Sequence, residues 1–234
     1  MTAPLTRLLL TGFGSFPGAP SNPTQALVRS LPKHYGRSLA LAGIDLRAAV
    51  LPVAYAEVEA ALRGLIVQHR PDIVLHLGLA ARRRVVSIET RAKNRLNTIH
   101  PDASRRFSGR LAVSPGRDNV RRARWPSARL AAAVSRNGFP AELSIDAGDY
   151  LCNQALYLSL GLHEGLCGFI HVPKLRKKWR VEAPLPEAER QPLHPIPSVA
   201  DIERSIASAI RLLAVEHRRR ARDGAISAEP APAA

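Results

Sequence analysis

The sequence predicts one α/β domain of three layers, α/β/α, around a mostly parallel twisted sheet. Three observations carry that expectation. Short apolar runs alternate with helix-patterned segments, the order that yields parallel strands joined by crossover helices. Residues 71–80, PDIVLHLGLA, are apolar almost without a break, as a strand covered on both faces requires. The apolar share of 46% over 234 residues fills a single core, and no internal repeat divides the chain.

Taken in order, residues 6–12, TRLLLTG, read as a buried first strand ending on glycine. The turn-rich loop FGSFPGAPSNP follows. Asn22 is placed to cap a helix that opens with Pro23, where a missing N–H costs nothing. Residues 44–53 alternate as a strand, and 54–70 form a helix with Ala61, Leu62, Leu65 and Ile66 on its apolar face. The central run 71–80 precedes another strand at 83–90. Residues 91–126 keep no regular period and read as a long loop or surface excursion, a length that is uncommon unless functional or mobile. A helix at 127–138 has Ser127 as cap and Gly138 as stop. Strand 141–146, helix 149–162 with Asp149 as cap, and strand 167–173 come next. The last helix, 198–222, opens on a capping box of Ser198 and Asp201. The domain is thus expected over residues 1–222, with 223–234, DGAISAEPAPAA, as a disordered tail.

The net charge of +15 raises nucleic acid as a partner class. The charge is dispersed in short blocks, at 81–85, 91–95, 121–125, 174–180 and 217–222. No RNA-binding aromatic motif or zinc-finger spacing accompanies them. A solvated basic surface is therefore expected, without a specific nucleic-acid partner. Two cysteines in so long a chain suit a reducing compartment. The opening apolar run is too short for a secretory signal, and no stretch reaches membrane-spanning length. A cytoplasmic location with no membrane partner is the expectation.

Three candidate strand ends carry titratable residues. Glu89 ends VVSIE, Cys152 lies where a strand-like run gives way to a helix, and His171 sits in GFIHVP. A helix start lowers a thiol pKa through free N–H groups and the dipole, and a nearby imidazolium does the same. His171 could pair with Cys152 and later protonate a leaving amine. Glu89 could hold the other ring nitrogen and fix its tautomer. Each residue also has a plain structural reading. Cys152 could be core filler, His171 a satisfied half-buried histidine, and Glu89 a strand-end charge paired with Arg91. Cys167 reads as core, and a Cys152–Cys167 bridge is disfavoured in a reducing compartment. Spacing alone leaves a cysteine–histidine hydrolase as one option.

At these residues the sequence resembles the pyrrolidone carboxyl peptidases, also called pyroglutamyl peptidase I. TGFGSFPGAPSNP resembles the family's opening Thr-Gly-Phe-x-x-Phe-Gly-Gly with its following Asn-Pro. DAGDYLCN resembles Ala-Gly-x-Tyr-x-Cys-Asn, and FIHVPKL resembles Phe-x-His-Val-Pro. HLGLAARRRVVSIETRAKN fits the glutamate segment, with Gly78, Glu89 and Asn94 at the family's spacing. The resemblance runs from about residue 8 to 175, in the chain order Glu, Cys, His.

It implies a cysteine exopeptidase that removes N-terminal pyroglutamate from peptides through a thioester, without metal or other cofactor. It implies Cys152 as nucleophile, His171 as general base and acid, and Glu89 as orienting acid. Phe13 and Phe16 match the family's two pyrrolidone-contacting aromatics, and Leu79 stands near the proposed pocket. Blocked peptides are the implied partner, and a homo-dimer or homo-tetramer the implied assembly. Two departures stand out. Pro17 replaces the first glycine of Phe-Gly-Gly, and Leu79 stands where bacterial members usually carry Gln. Two alternatives remain open on the sequence. One is a related cysteine amidase with a different N-blocked substrate, and the other a basic, non-enzymatic nucleic-acid-binding homologue.

Overall fold

The computed structural model describes residues 5–176 and 196–227. In chain order the elements are β1 (Thr6–Phe13), α1 (Pro23–Leu41), β2 (Ile44–Leu51), α2 (Val58–His69), β3 (Ile73–Leu79), β4 (Val86–Glu89), β5 (Arg91–Lys93), β6 (Val120–Arg122), α3 (Ser127–Ser135), β7 (Ala141–Ser144), α4 (Leu151–Leu162), β8 (Leu166–Val172) and α5 (Val199–Ser227). Six strands form one sheet in the order β2-β1-β3-β8-β4-β7, parallel except for the β4–β8 pair. β5 and β6 form a separate antiparallel ribbon.

The period-two alternation of side chains sorts the sheet into two faces. Leu8, Leu10, Leu75, Leu77, Ile170, Val172 and Ile88 pack in one cluster with residues of α1, α3 and α5. Phe13, Val74, Cys167 and Phe169 pack in the other with residues of α2 and α4. The second face also carries the site. Near-continuous apolarity in β3 therefore conceals a difference, because one face is wholly apolar while the other presents His76 and Gly78.

Local signals explain the starts of α1 and α5. Asn22 accepts from the Thr24 N–H at 3.1 Å, with proline in the first turn of α1. Ser198 and Asp201 form the expected box: the Ser198 N–H and hydroxyl both donate to Asp201 Oδ2, and the Asp201 N–H returns to Ser198 Oγ at 3.2 Å. α3 departs from expectation. Pro126 occupies its cap position without a side-chain bond, so Ser127 lies inside the helix. α3 ends at Ser135, and Gly138, with φ of 86°, turns the chain a few residues later. Segment 91–126 is not wholly irregular, since it contains the β5–β6 ribbon. α5 continues to Ser227, past the end expected at residue 222. The rest of the expected tail, residues 228–234, lies outside the described residues, as do residues 177–180 of the fourth basic block. Among the described residues, no helix is long and apolar enough to cross a membrane.

Candidate active site

His171 and Glu89 meet through the antiparallel step in the sheet. Ser87 pairs with His171 and Glu89 with Phe169, so Glu89 and His171 are diagonal neighbours on one face. Parallel strand ends, the arrangement considered from the sequence, do not bring them together, because β4 runs against β8. The contact is direct: His171 Nδ1 lies 2.8 Å from Glu89 Oε1. Both side chains are buried, Glu89 fully.

Burial alone pushes the Glu89 carboxyl up, but the hydrogen bond and charge of His171, with Ser144 and Arg83, reverse this and hold it below the ordinary carboxylate range. Ionised Glu89 can only accept, so Nδ1 carries a proton, and in the neutral ring this tautomer leaves the lone pair on Nε2. Arg83 Nη1 donates to the same Oε1 at 2.7 Å, while Nη2 donates to the Asp146 carbonyl at 2.6 Å. The sequence offered Arg91 as the partner of Glu89. Arg91 instead donates to the Ile145 carbonyl, and Arg83 takes that place.

Cys152 enters the same face from above. Gly78 on β3 is the register partner of His171 on β8, and parallel partners point their side chains the same way. A Cβ built at Gly78 would come within 2.9 Å of Cys152 Sγ and 2.5 Å of the Phe169 ring. The sulfur thus lies over Gly78, in the lane beside His171. The Phe169 ring, whose centroid is 4.6 Å from that of His171, forms the floor. Only glycine leaves room for the sulfur at this position.

Cys152 is the second residue of α4, because Tyr150 is the cap and makes no side-chain cap bond. Asp149, the expected cap, accepts instead from Asn97 Nδ2 at 2.9 Å. The thiol also departs from expectation. Burial pushes it up to about 12 and the charge of Glu89 adds to this, while its own backbone N–H and Arg83 pull weakly the other way. The helix start does not outweigh desolvation, so the resting group is a thiol. Cys152 and Cys167 are both free, and Cys167 is fully buried in the core.

Comparison with known proteins follows the same lines. The pyroglutamyl peptidase family profile matches residues 6–188. The chain belongs to that family. It is 31% identical over 172 residues to a pyrrolidone-carboxylate peptidase of Pyrococcus furiosus, covering 71% of this chain and 80% of the relative. The crystal structure of pyrrolidone carboxyl peptidase from Thermus thermophilus superposes with a TM-score of 0.72 at 34% identity, covering 87% and 98% of the two chains. Pyroglutamyl peptidase I from Bacillus amyloliquefaciens gives 0.75 at 25% identity, over 91% and 98%.

Within this pyroglutamyl peptidase fold the sequence-expected aromatics separate. Phe13 is only 2% exposed and stacks on Phe169 at 6.4 Å between centroids, beneath the site. Phe16 is half-buried and faces Tyr150 at 5.5 Å. Leu79 is half-buried at the end of β3, paired with Val172.

Two supports escaped sequence reasoning. Asn153, directly after the cysteine, accepts from the Lys93 N–H at 2.8 Å and donates to the carbonyls of Lys93 and Arg95. It ties the helix that carries Cys152 to β5, and its place in the Cys-Asn motif was the available signal. His76 bridges Thr11 Oγ1 at 2.6 Å and Ser159 Oγ at 2.9 Å, joining β1, β3 and α4. Burial, assisted by His163, pushes it down to about 3, so it is neutral and structural.

Proposed function

We propose that the protein cleaves N-terminal pyroglutamyl residues from peptides, with Cys152 as nucleophile, His171 as general base and acid, and Glu89 as the carboxylate that orients the imidazole. The observation that carries this reading is the 2.8 Å Glu89–His171 pair on the face where Cys152 Sγ covers Gly78. His171 Nε2 takes the thiol proton as Sγ attacks the pyroglutamyl carbonyl carbon. The thiolate need not pre-exist, and Glu89 stabilises the imidazolium as it forms. The carbonyl oxygen becomes an oxyanion near the unpaired N–H groups of the first turn of α4. Collapse breaks the C–N bond, the imidazolium gives its proton to the leaving amine, and a thioester remains. Water, deprotonated by His171, attacks the thioester and releases pyroglutamate and the thiol.

A neutral flat lactam suits the aromatic wall of Phe16 and Tyr150, with Phe13 supporting it from below and Leu79 at the strand end. We place the reaction in the cytoplasm, where free thiols persist. The dimer or tetramer expected from the family resemblance belongs to the same proposal, and sedimentation velocity reads it. The enzymatic test is release of aminomethylcoumarin from its pyroglutamyl amide under reducing conditions, by wild type and by Cys152→Ala. Turnover in wild type and none in the variant is expected. No turnover by wild type removes the substrate assignment, and turnover by the variant removes Cys152 from its role.

A further inference from the structure

A cavity of about 350 Å³ lies beside the aromatic wall, and the steps above make no use of it. Its lining includes Tyr55, Asp102, Arg106, Phe107, Ser108 and Arg110. It is joined to the site through two tyrosines. The Tyr55 ring meets Tyr150 edge-on at 5.5 Å, and Tyr150 precedes Cys152 by two residues. The Tyr55 hydroxyl donates to the His100 carbonyl at 3.1 Å and the Tyr150 hydroxyl to the Pro101 carbonyl at 2.9 Å, so the loop that walls the cavity is fastened to the site.

The cavity is electrostatically unbalanced. Asp102 is 2% exposed, and its carboxylate accepts the backbone N–H groups of Tyr55, Ser104 and Arg106 at 3.2, 2.9 and 2.9 Å. It is occupied in holding the loop's shape. Among the described residues, neither the Arg106 nor the Arg110 side chain pairs with a carboxylate. Phe107 beside them is 58% exposed, an apolar ring turned to solvent.

We infer that this cavity is the subsite for the peptide beyond the cleaved bond, and that it selects peptides carrying carboxylates there. The inference rests on the reading above and adds a preference to it. A pyroglutamyl group is small and neutral, so two unpaired guanidiniums offer it nothing. The leaving peptide is the part of the substrate that carries charge. Acidic side chains or a nearby free C-terminus match the arginine forks, and a lysine-rich peptide is repelled.

The test compares pyroglutamyl-Ala-Glu-Glu, pyroglutamyl-Ala-Lys-Lys and the pyroglutamyl coumarin amide, which has no peptide portion. At low ionic strength kcat/KM is expected about 5- to 10-fold higher for the acidic peptide than for the basic one, as two part-exposed charge contacts allow. The difference shrinks toward unity near ~1 M salt. Arg106→Gln combined with Arg110→Gln should abolish it and leave the coumarin amide unaffected. Equal values in wild type, or a preference that survives in the double variant, overturn the inference. Calorimetric binding of both peptides to Cys152→Ala separates the subsite from the reaction. Tighter binding of the acidic peptide supports the subsite even if wild type turns nothing over, and equal or absent binding overturns it.

Discussion

Gly78→Ala places a single methyl group at the centre of the proposed chemistry, and its consequence follows from three distances. The new Cβ would lie 2.5 and 2.6 Å from two atoms of the Phe169 ring and 2.9 Å from Cys152 Sγ. Carbon atoms in ordinary contact sit ~3.5–4.0 Å apart, so the neighbours must yield by about 1 Å. Phe169 cannot retreat freely, because it is fully buried between the rings of Phe13 and His171. The displacement passes either to the sulfur or to the imidazole. Overpacking of this kind costs about 1–3 kcal/mol of stability, and a 1 Å misplacement of a reacting group costs about 100-fold in rate. Gly64→Ala is the control. It lies in α2 with nothing within 4 Å of its Cβ, so it should leave turnover unchanged and raise stability by about 0.5–1 kcal/mol. The assay is kcat for the pyroglutamyl coumarin amide beside a thermal melt of each variant. Wild-type kcat and melting temperature in Gly78→Ala would refute the placement of the sulfur over that strand.

Two further outcomes follow from the same site. In His171→Ala the proposed proton acceptor is gone, while the burial that pushes the Cys152 thiol up remains. Alkylation of Cys152 by iodoacetamide at pH 7 should then fall at least about 100-fold below that of free cysteine, and a rate equal to wild type would disconnect the two residues. In Arg83→Met, Glu89 loses the guanidinium at 2.7 Å that helps hold its carboxyl low. A carboxylate with a depressed pKa supports the imidazole above that pKa and fails as pH falls through it. The acid limb of kcat/KM should therefore move to higher pH, with about a ten-fold loss of kcat at neutral pH and little change in KM. An unmoved acid limb would leave Arg83 with only a structural role.

The sheet and the order of the site residues were legible because each rests on a local signal. β3 and β8 are short apolar runs, and Asn22 with Pro23 and Ser198 with Asp201 announce their helices. What was not legible depends on contacts distant in sequence. Asp149 follows the rule for a helix cap, yet its carboxylate is claimed by Asn97, which no local pattern reveals. β5 and β6 have three residues each, too few to show a period of two. The partner of Glu89 is Arg83 and not Arg91, which is taken by the Ile145 carbonyl, and Glu89 meets His171 through an antiparallel β4–β8 step that alternating elements do not announce. The upward shift of the thiol is hidden from the sequence for a related reason. A helix start can be read from the sequence, whereas the depth of a sulfur over a glycine strand requires the fold.

The basic block at 121–125 shows how charge that suggests a nucleic-acid surface can instead hold the helix that carries Cys152. A guanidinium is attracted to the carbonyl end of a helix dipole. Arg124 donates to the carbonyls of Leu160, Gly165 and His163, at and just beyond the end of α4. Arg121 donates to the Tyr157 carbonyl at 2.8 Å and stacks over the Tyr157 ring at 4.1 Å. At the other end of the same helix, Asn153 grips β5, and β5 pairs with β6, the strand that carries Arg121. The ribbon therefore holds α4 near its start and at its middle, and Arg124 just beyond β6 holds its end, with Cys152 in the first turn. Lateral drift of the sulfur is resisted by these contacts from 91–126 together with the His76–Ser159 bond from the sheet. A segment without sequence periodicity thus acts as a brace, and substitutions at Arg121 or Arg124 should register in the position of Cys152 although neither side chain touches it.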